Sequence, residues 1–526
     1  MTDSIQTILS KIISRNPATE KEFFNIARRE FGKFKISSPE KSKLLSAYHR
    51  LVKAGKIKSN TKIERFLVKR AIRTLSGVAV ISALTKTFPC PGNCLYCPSE
   101  KNMPKSYLSN EPAVMRAILA KFDPYKQIQI RLNALRANGH STEKVELIVM
   151  GGTWSYLPKK YQNWFIKRCL DALNGRTATD LAKAQKLNER TKHRCIGLTL
   201  ETRPDYITKK EVARMRELGC TRVELGIQHI DDAILKLNRR GHDNHQSIKA
   251  INLLKEAGFK INYHIMLNLP GSSPAKDLAM FKKLYSSPDY MPDMIKIYPC
   301  VVNEHADLYK LWKKGKYKSY TDKQLAGLII KIKKITPPFV RITRLIRDIP
   351  EESITSGNKI TNLRQLISNN SKKDGWSCQC IRCREAGHAD KDGKFQVESK
   401  KLKVKIREYE ANNGKEYFIS FESKDEKILY AFLRLRVNNS DNNFIQELKG
   451  ASLVRELHTY GQLVSLGKEG DVQHMGFGKK LLLEAEKITK KHKLKKIAVI
   501  SGIGVRKYYE NNGYKLEGNY MTRTLI

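Results

Sequence analysis

Six short apolar segments follow one another between residues 78 and 300, each separated from the next by a longer polar or amphipathic stretch. They are VAVISAL (78–84), VELIVMG (145–151), CIGLTLE (195–201), RVELGIQ (222–228), KINYHIML (260–267) and MIKIYPC (294–300). Runs of this length, rich in Val and Ile, predict strands, whereas the segments between them, such as 209–218 and 245–256, carry apolar residues at helical spacing. Strand and helix in alternation predict parallel βαβ units, because a parallel neighbour needs a crossover of a dozen or more residues. The fold class is therefore α/β, with this part an open or closed (β/α) barrel.

The flanks read differently. Residues 5–13, 20–31 and 40–54 show apolar spacing of three and four and predict a small helical region over 1–75. The barrel part spans 76–365. Residues 366–400 are polar and read as a joint. From 401 to 526 a second α/β unit is expected: two strands around the Asn-Asn-Gly turn of 403–422, further strands at 428–437 and 451–461, a helix from Gly478, and strand KIAVISG at 496–502. A chain of 526 residues exceeds one ordinary core. Lys and Arg number 98 against 52 Asp and Glu, a net charge of +46. Residues 1–80 hold 18 Lys and Arg against 6 acids. Such an excess suits a polyanionic partner, since each neutralised phosphate releases a counterion, and nucleic acid is the expected class. No apolar run is long enough for a bilayer, and the N-terminus lacks the apolar core of a secretory signal. The expected location is the cytoplasm, with no membrane partner.

The ten cysteines are grouped: Cys90, Cys94 and Cys97, then Cys378, Cys380 and Cys383, with Cys169, Cys195, Cys220 and Cys300 scattered in apolar surroundings. Without a secretion signal such groups read as metal sites. The first, C-x3-C-x2-C just after a strand, offers three thiolates for a 4Fe–4S cluster and leaves one iron open to S-adenosylmethionine. A zinc knuckle would need a fourth ligand, and the segment 90–97 holds no other Cys and no His. Tyr96, directly before the last Cys, is similar to the aromatic residue found there in radical S-adenosylmethionine enzymes. Polar groups at the C-terminal ends of parallel strands face the site of an α/β fold. Gly151 and Gly152, Glu201 and Arg203, and Gln228 occupy such ends and are candidate cofactor contacts.

The second unit carries Gln473-His474-Met475-Gly476-Phe477-Gly478 before a helix. This Q-x-x-G-x-G resembles the pyrophosphate loop of GNAT-type acetyltransferases, where glycines let amide N–H groups and a helix N-terminus approach anionic phosphates. Tyr508 and Tyr509 lie on the helix expected after KIAVISG. Either is a candidate to protonate a leaving thiolate, and the other would be packing.

Taken in order, RTLSGVAVISAL, CPGNCLYCP, NEPAVMRAILAKFDPYKQ, VELIVMGGTW, GLTLETRPDYIT, GCTRVELGIQ, NRRGHDN, RITRLIRDIP, CREAGH, LVRELHTYG, QHMGFGKKLL and KIAVISGIGVRKYYENNGYKLEGNYM resemble the family of the catalytic subunit of Elongator, in its single-chain archaeal and bacterial form. One departure is Pro98-Ser99-Glu100, where the family commonly has Pro-Gly-Gly. The resemblance implies a radical S-adenosylmethionine partial barrel fused to a GNAT-type domain, with tRNA as substrate. It implies a reaction in which acetyl-coenzyme A loses a methyl hydrogen to an adenosyl radical. The resulting carbon radical adds to C5 of the wobble uridine, and hydrolysis leaves a carboxymethyl group. It further implies that Lys69, Arg70 and Arg73 contact tRNA and that Lys296 and Tyr298 lie near acetyl-coenzyme A. An electron donor is required, and the chain is expected to act alone or as a homodimer without other Elongator subunits.

The Cys378, Cys380 and Cys383 group reads as a structural zinc site, with His388 or His458 completing the tetrahedron. Two rival readings remain open on sequence grounds: a lysine acetyltransferase acting on proteins, and a non-catalytic tRNA-binding scaffold.

Overall fold

The computed structural model describes residues 2–69, 77–360, 362–389, 402, 404–440, 442–460 and 476–526. The chain opens with helices α1 (Thr2–Ser14), α2 (Glu20–Lys33), α3 (Lys41–Lys53) and α4 (Thr61–Leu67). Their apolar faces meet in a core of their own, built on Leu9, Phe23, Phe31, Leu44, Tyr48 and Leu67. Asn60 caps α4 by accepting from the Lys62 and Ile63 amides.

The barrel part is a sheet of seven parallel strands: β1 (Ala79–Leu84), β2 (Lys144–Met150), β3 (Arg194–Thr202), β4 (Arg222–Gln228), β5 (Lys260–Leu267), β6 (Met294–Pro299) and β7 (Arg341–Arg344). Each strand lies beside its sequence successor. With right-handed crossovers and no reversal of order, every helix falls on one face, and the sheet curls into a partial barrel around the other. The six expected strands are present within a residue or two. Strand β7 was not anticipated.

The second sheet has the order β13–β14–β12–β11–β10–β9–β8, from β8 (Val404–Glu410), β9 (Gly414–Glu422), β10 (Leu429–Asn438), β11 (Ala451–Thr459), β12 (Lys496–Val499), β13 (Lys515–Glu517) and β14 (Tyr520–Thr524). Asn412 and Asn413 both take positive φ in the β8–β9 turn, as a two-residue hairpin requires. All pairs are antiparallel except β11 with β12, which the helix Phe477–Lys491 connects. That pairing ends at Val454 and Val499, although β11 runs on to Thr459, so the two strands part beyond it.

The two sheets share one core. Leu453, Ala498, Ile500, Ile503 and Tyr520 of the second pack in the same apolar cluster as the barrel helices and strands. Beta-carbons at Gly502 and Gly504 would collide with the backbone of Ile196 and with Arg194, so the loop after β12 lies directly on the start of β3. The joint expected at 366–400 is not a separate polar linker where it is described. Its 365/366 boundary falls inside the helix Leu363–Lys373, and Ile367, Cys378 and Cys380 belong to the shared core. No helix among the described residues is long and apolar enough to cross a membrane.

Candidate active site

The loop carrying Cys90, Cys94 and Cys97 sits at the C-terminal end of the barrel. Backbone bonds hold it there: Leu95 N to Asn238 O at 3.2 Å, Ser99 N to His305 O at 2.9 Å and Leu308 N to Leu95 O at 2.8 Å. Two guanidinium groups face it. Arg240 Nη1 donates to Cys94 Sγ at 3.5 Å. Arg203 lies against Gly92, where a Cβ would collide with its Nη1. Arg203 is itself held by Asp205 at 2.9 and 2.8 Å and by the Arg240 carbonyl at 2.8 Å, but its Nη1 is buried with no partner. Arg240 Nε and the Tyr96 hydroxyl are orphaned in the same way. Buried polar groups normally find partners, so these orphans mark a place built for a polar ligand. Two cations beside three thiolates suit an anionic iron–sulfur cluster, and the residues present fit one.

The strand ends carry uncommon backbone conformations. Gly151 and Gly152 take φ of 130° and 96°, which glycine adopts without strain, and Gly151 leaves room for Thr85, whose hydroxyl is also unpartnered. Gln228 ends β4 at φ 70°, an uncommon conformation for a non-glycine residue. Glu201 accepts from the Tyr107 hydroxyl at 2.8 Å.

A row of ionic side chains crosses the concave face, set by register: Glu201 beside Glu224, Glu224 beside Asn262, and His264 beside Lys296. Lys296 Nζ meets Glu224 Oε2 at 2.6 Å, and His264 Nε2 meets the same oxygen at 2.5 Å. Burial alone would raise the Glu224 carboxyl, but Lys296 and His264 together hold it well below the usual carboxylate range. The counterpart holds for Lys296: burial disfavours its charge, and Glu224 more than restores it. Tyr298 stacks edge-on against His264 at 5.5 Å. Sequence reasoning named Glu201, Lys296 and Tyr298 but missed Glu224, His264, Tyr107 and Arg240. The inward alternation of Glu224 and His264 on their strands was the available signal.

In the second sheet, Gly476 caps the helix Phe477–Lys491 at φ 70°. Gln473, His474 and Met475 lie outside the described residues. Phe477 is buried against Phe421. Gly478 abuts the Tyr508 hydroxyl, where a Cβ would clash, and Leu457 of β11 lies beside it. Tyr508 is 40% exposed, whereas Tyr509 is 6% exposed and packs on Tyr514. Of the two, Tyr508 is the one placed at the helix N-terminus and the parting of β11 from β12. Tyr509 is a core residue. Burial raises the Tyr508 hydroxyl, so it is a phenol at neutral pH and able to give a proton.

The thiol sulfurs of Cys378, Cys380 and Cys383 lie within 4.8 Å of one another. Lys333 Nζ donates to Cys383 Sγ at 3.6 Å. No other His, Cys or carboxylate among the described residues joins the three. His458 is elsewhere, tilted against Tyr460 at 4.3 Å with a buried, unpartnered Nε2, and burial pushes its pKa down to about 4. Of the two candidate fourth ligands, His458 is not brought to the three sulfurs, and the His388 side chain lies outside the described residues. Lys69 is exposed beyond α4, and Arg70 and Arg73 fall outside the described residues.

Residues 85–284 match the Radical SAM superfamily, and residues 292–373 match the Radical_SAM C-terminal domain. A tRNA uridine(34) acetyltransferase of Methanocaldococcus infernus is 46% identical over 470 residues, 87% of this chain and 88% of that protein. The protein of the same name from Dehalococcoides mccartyi is 44% identical, covering 87% of this chain and all of its own length. Human Elongator complex protein 3 is 40% identical over 474 residues, 87% of this chain and 86% of its own. The structure of an N-terminally truncated archaeal Elp3 from Methanocaldococcus infernus superposes with a TM-score of 0.76 at 44% identity, covering 86% of this chain and all of that one. A partial barrel with a three-cysteine loop, packed on a second sheet and matched over most of its length, this chain belongs to the family of tRNA uridine(34) acetyltransferases and Elongator complex protein 3.

Proposed function

We propose that this protein is a tRNA-modifying enzyme that uses acetyl-coenzyme A to place a carboxymethyl group on C5 of the wobble uridine. The observation that carries the reading is the way one strand joins the two halves. Strand β6 begins beside Asp293, whose carboxylate takes Arg455 of β11 at 2.5 Å, and carries Lys296 and Tyr298. The acetyltransferase sheet and the radical barrel are thus one body, as two halves working on one substrate require.

When bound, the 4Fe–4S cluster and S-adenosylmethionine supply an adenosyl radical able to abstract hydrogen. The protein's own groups do the rest. Cys90, Cys94 and Cys97 hold the cluster, with Arg240 and Arg203 offsetting its charge. Gly151, Gly152, Glu201 and Gln228 position the adenosylmethionine. The loop 473–478 and the following helix bind acetyl-coenzyme A, Tyr508 stands ready to protonate the leaving thiolate, and Lys296 with Tyr298 orients the acetyl end. The basic helical region, with Lys69, Arg70 and Arg73, draws in the tRNA, in keeping with the net charge of +46. The second cysteine group holds structural zinc. The enzyme works in the cytoplasm with a separate electron donor, as a single chain or homodimer.

The test is anaerobic incubation of the reconstituted protein with S-adenosylmethionine, acetyl-coenzyme A, dithionite and tRNA, followed by nucleoside mass spectrometry. Carboxymethyluridine that disappears in Cys94→Ala supports the reading. Acetyl-coenzyme A consumed without any change in the tRNA would overturn it.

A further inference from the structure

The ionic row inside the barrel has an unusual centre. Glu224 is 2% exposed and takes three donors from the next two strands: His264 Nε2 at 2.5 Å and Asn262 Nδ2 at 3.1 Å from β5, and Lys296 Nζ at 2.6 Å from β6, with Arg222 at 3.7 Å from its own strand. Asn262 is in turn fixed by the Thr343 hydroxyl at 3.2 Å. Glu201 stands 3.8 Å from the other imidazole nitrogen. Lys296 is thereby faced by Glu224 from β4, His264 from β5, Glu201 from β3, Tyr298 on its own strand and Arg344 from β7. Nothing in this arrangement is needed to hold the barrel closed. An apolar row would pack the strands without taking charges out of water.

We propose that Glu224 is a positioning residue that keeps Lys296 a fixed ammonium donor in the barrel lumen, so that it hydrogen-bonds an acyl oxygen and does not itself take the acyl group. This rests on the placement of acetyl-coenzyme A given above. The chemistry makes the need plain. A neutral amine beside a thioester attacks the carbonyl carbon: the C–N bond forms, the C–S bond breaks, coenzyme A leaves as thiolate, and the amine gives up its proton. A Lys296 acetylated in this way would be a spent donor. An ammonium has no lone pair, so the same side chain polarises the carbonyl and survives. The ion pair raises the Lys296 amine even though burial opposes this.

The experiment is pulse acetylation of the full-length protein with acetic anhydride across a pH series, read per lysine by mass spectrometry. Access to the reagent sets the plateau of each profile, and protonation sets its midpoint, so burial and charge separate. Exposed Lys515 is the internal reference. In the unaltered protein the Lys296 midpoint is expected above that of Lys515. In Glu224→Gln it should fall below it, and a midpoint lower by one on the pH scale means about tenfold more labelling on the rising limb. His264→Gln retains the carboxylate and should leave the midpoint above the reference. A midpoint that stays put in Glu224→Gln, or that falls equally in both variants, overturns the proposal. A second arm replaces the anhydride with acetyl-coenzyme A in Glu224→Gln. Anhydride labelling that shifts while acetyl-coenzyme A leaves Lys296 untouched upholds the clamp and removes acetyl-coenzyme A from its side.

Discussion

Replacing Asp293 by Asn should cost more stability than any other single isosteric change at the junction of the two sheets. The carboxylate is fully buried and receives Arg455 through two bonds, at 2.5 and 2.9 Å, while also accepting the Ile261 amide at 3.0 Å. Arg434 lies 3.9 Å away, and Lys255 also faces the group. The remaining carboxylates nearby, Glu416 and Glu456, are already committed to Arg455, Arg436 and Arg434. An amide keeps the shape and one acceptor but leaves Arg455 with Glu416 alone and withdraws the charge that faces Arg434 and Lys255, and removing one partner of a buried pair costs up to about 3–5 kcal/mol. Burial by itself would raise the Asp293 carboxyl, but Arg455 and Arg434 hold it well below its ordinary value. A depressed folded-state pKa contributes stability above the unfolded pKa of about 3.9, and that contribution fades as pH falls through the folded value. Urea unfolding followed by circular dichroism should therefore show a large deficit for Asp293→Asn at neutral pH, narrowing as pH falls below about 4. A deficit under about 1 kcal/mol, the size of an exposed pair, would refute the reasoning by showing that water reaches the junction.

Tyr508→Phe should slow acetyl-coenzyme A turnover by roughly a hundredfold or more, the range of a lost general acid, with little change in its Kd measured by calorimetry. Tyr509→Phe should instead lower the melting temperature and leave turnover close to normal. Gly502→Ala drives a methyl into the Ile196 carbonyl and should cost about 1–3 kcal/mol in thermal unfolding, as overpacking does. Metal analysis should find zinc lost and iron kept in Cys383→Ser, and the reverse in Cys94→Ala.

The sequence was most legible where periodicity carries the information. Strands β1 to β6 stood out as short runs rich in Val and Ile because their outward residues pack beneath the helices. Strand β7 escaped because Arg-Ile-Thr-Arg is four residues long and alternates charge with apolar character. The junction could not be read at all. Asp293 and Arg455 are each unremarkable as isolated charges, and only the fold brings them together across 162 residues. Glu224 and His264 sat inside recognised strands, but a charge in such a run reads equally well as an edge or a solvated end. Tyr508 and Tyr509 illustrate a phase problem: adjacent helical residues point about 100° apart, and a five-residue helix offers too few apolar positions to say which one faces inward.

The most direct measurement of the claim that both halves act on one acetyl group is isotope transfer. Acetyl-coenzyme A deuterated at the methyl group would be supplied with tRNA and S-adenosylmethionine to the reconstituted protein under anaerobic conditions, and the 5′-deoxyadenosine analysed by mass spectrometry. Deuterium in the 5′-deoxyadenosine, together with a carboxymethyluridine that retains the remaining label, is the expected result. Deuterium-free 5′-deoxyadenosine formed alongside modified tRNA would mean that the hydrogen comes from elsewhere and that the two halves do not share the acetyl group.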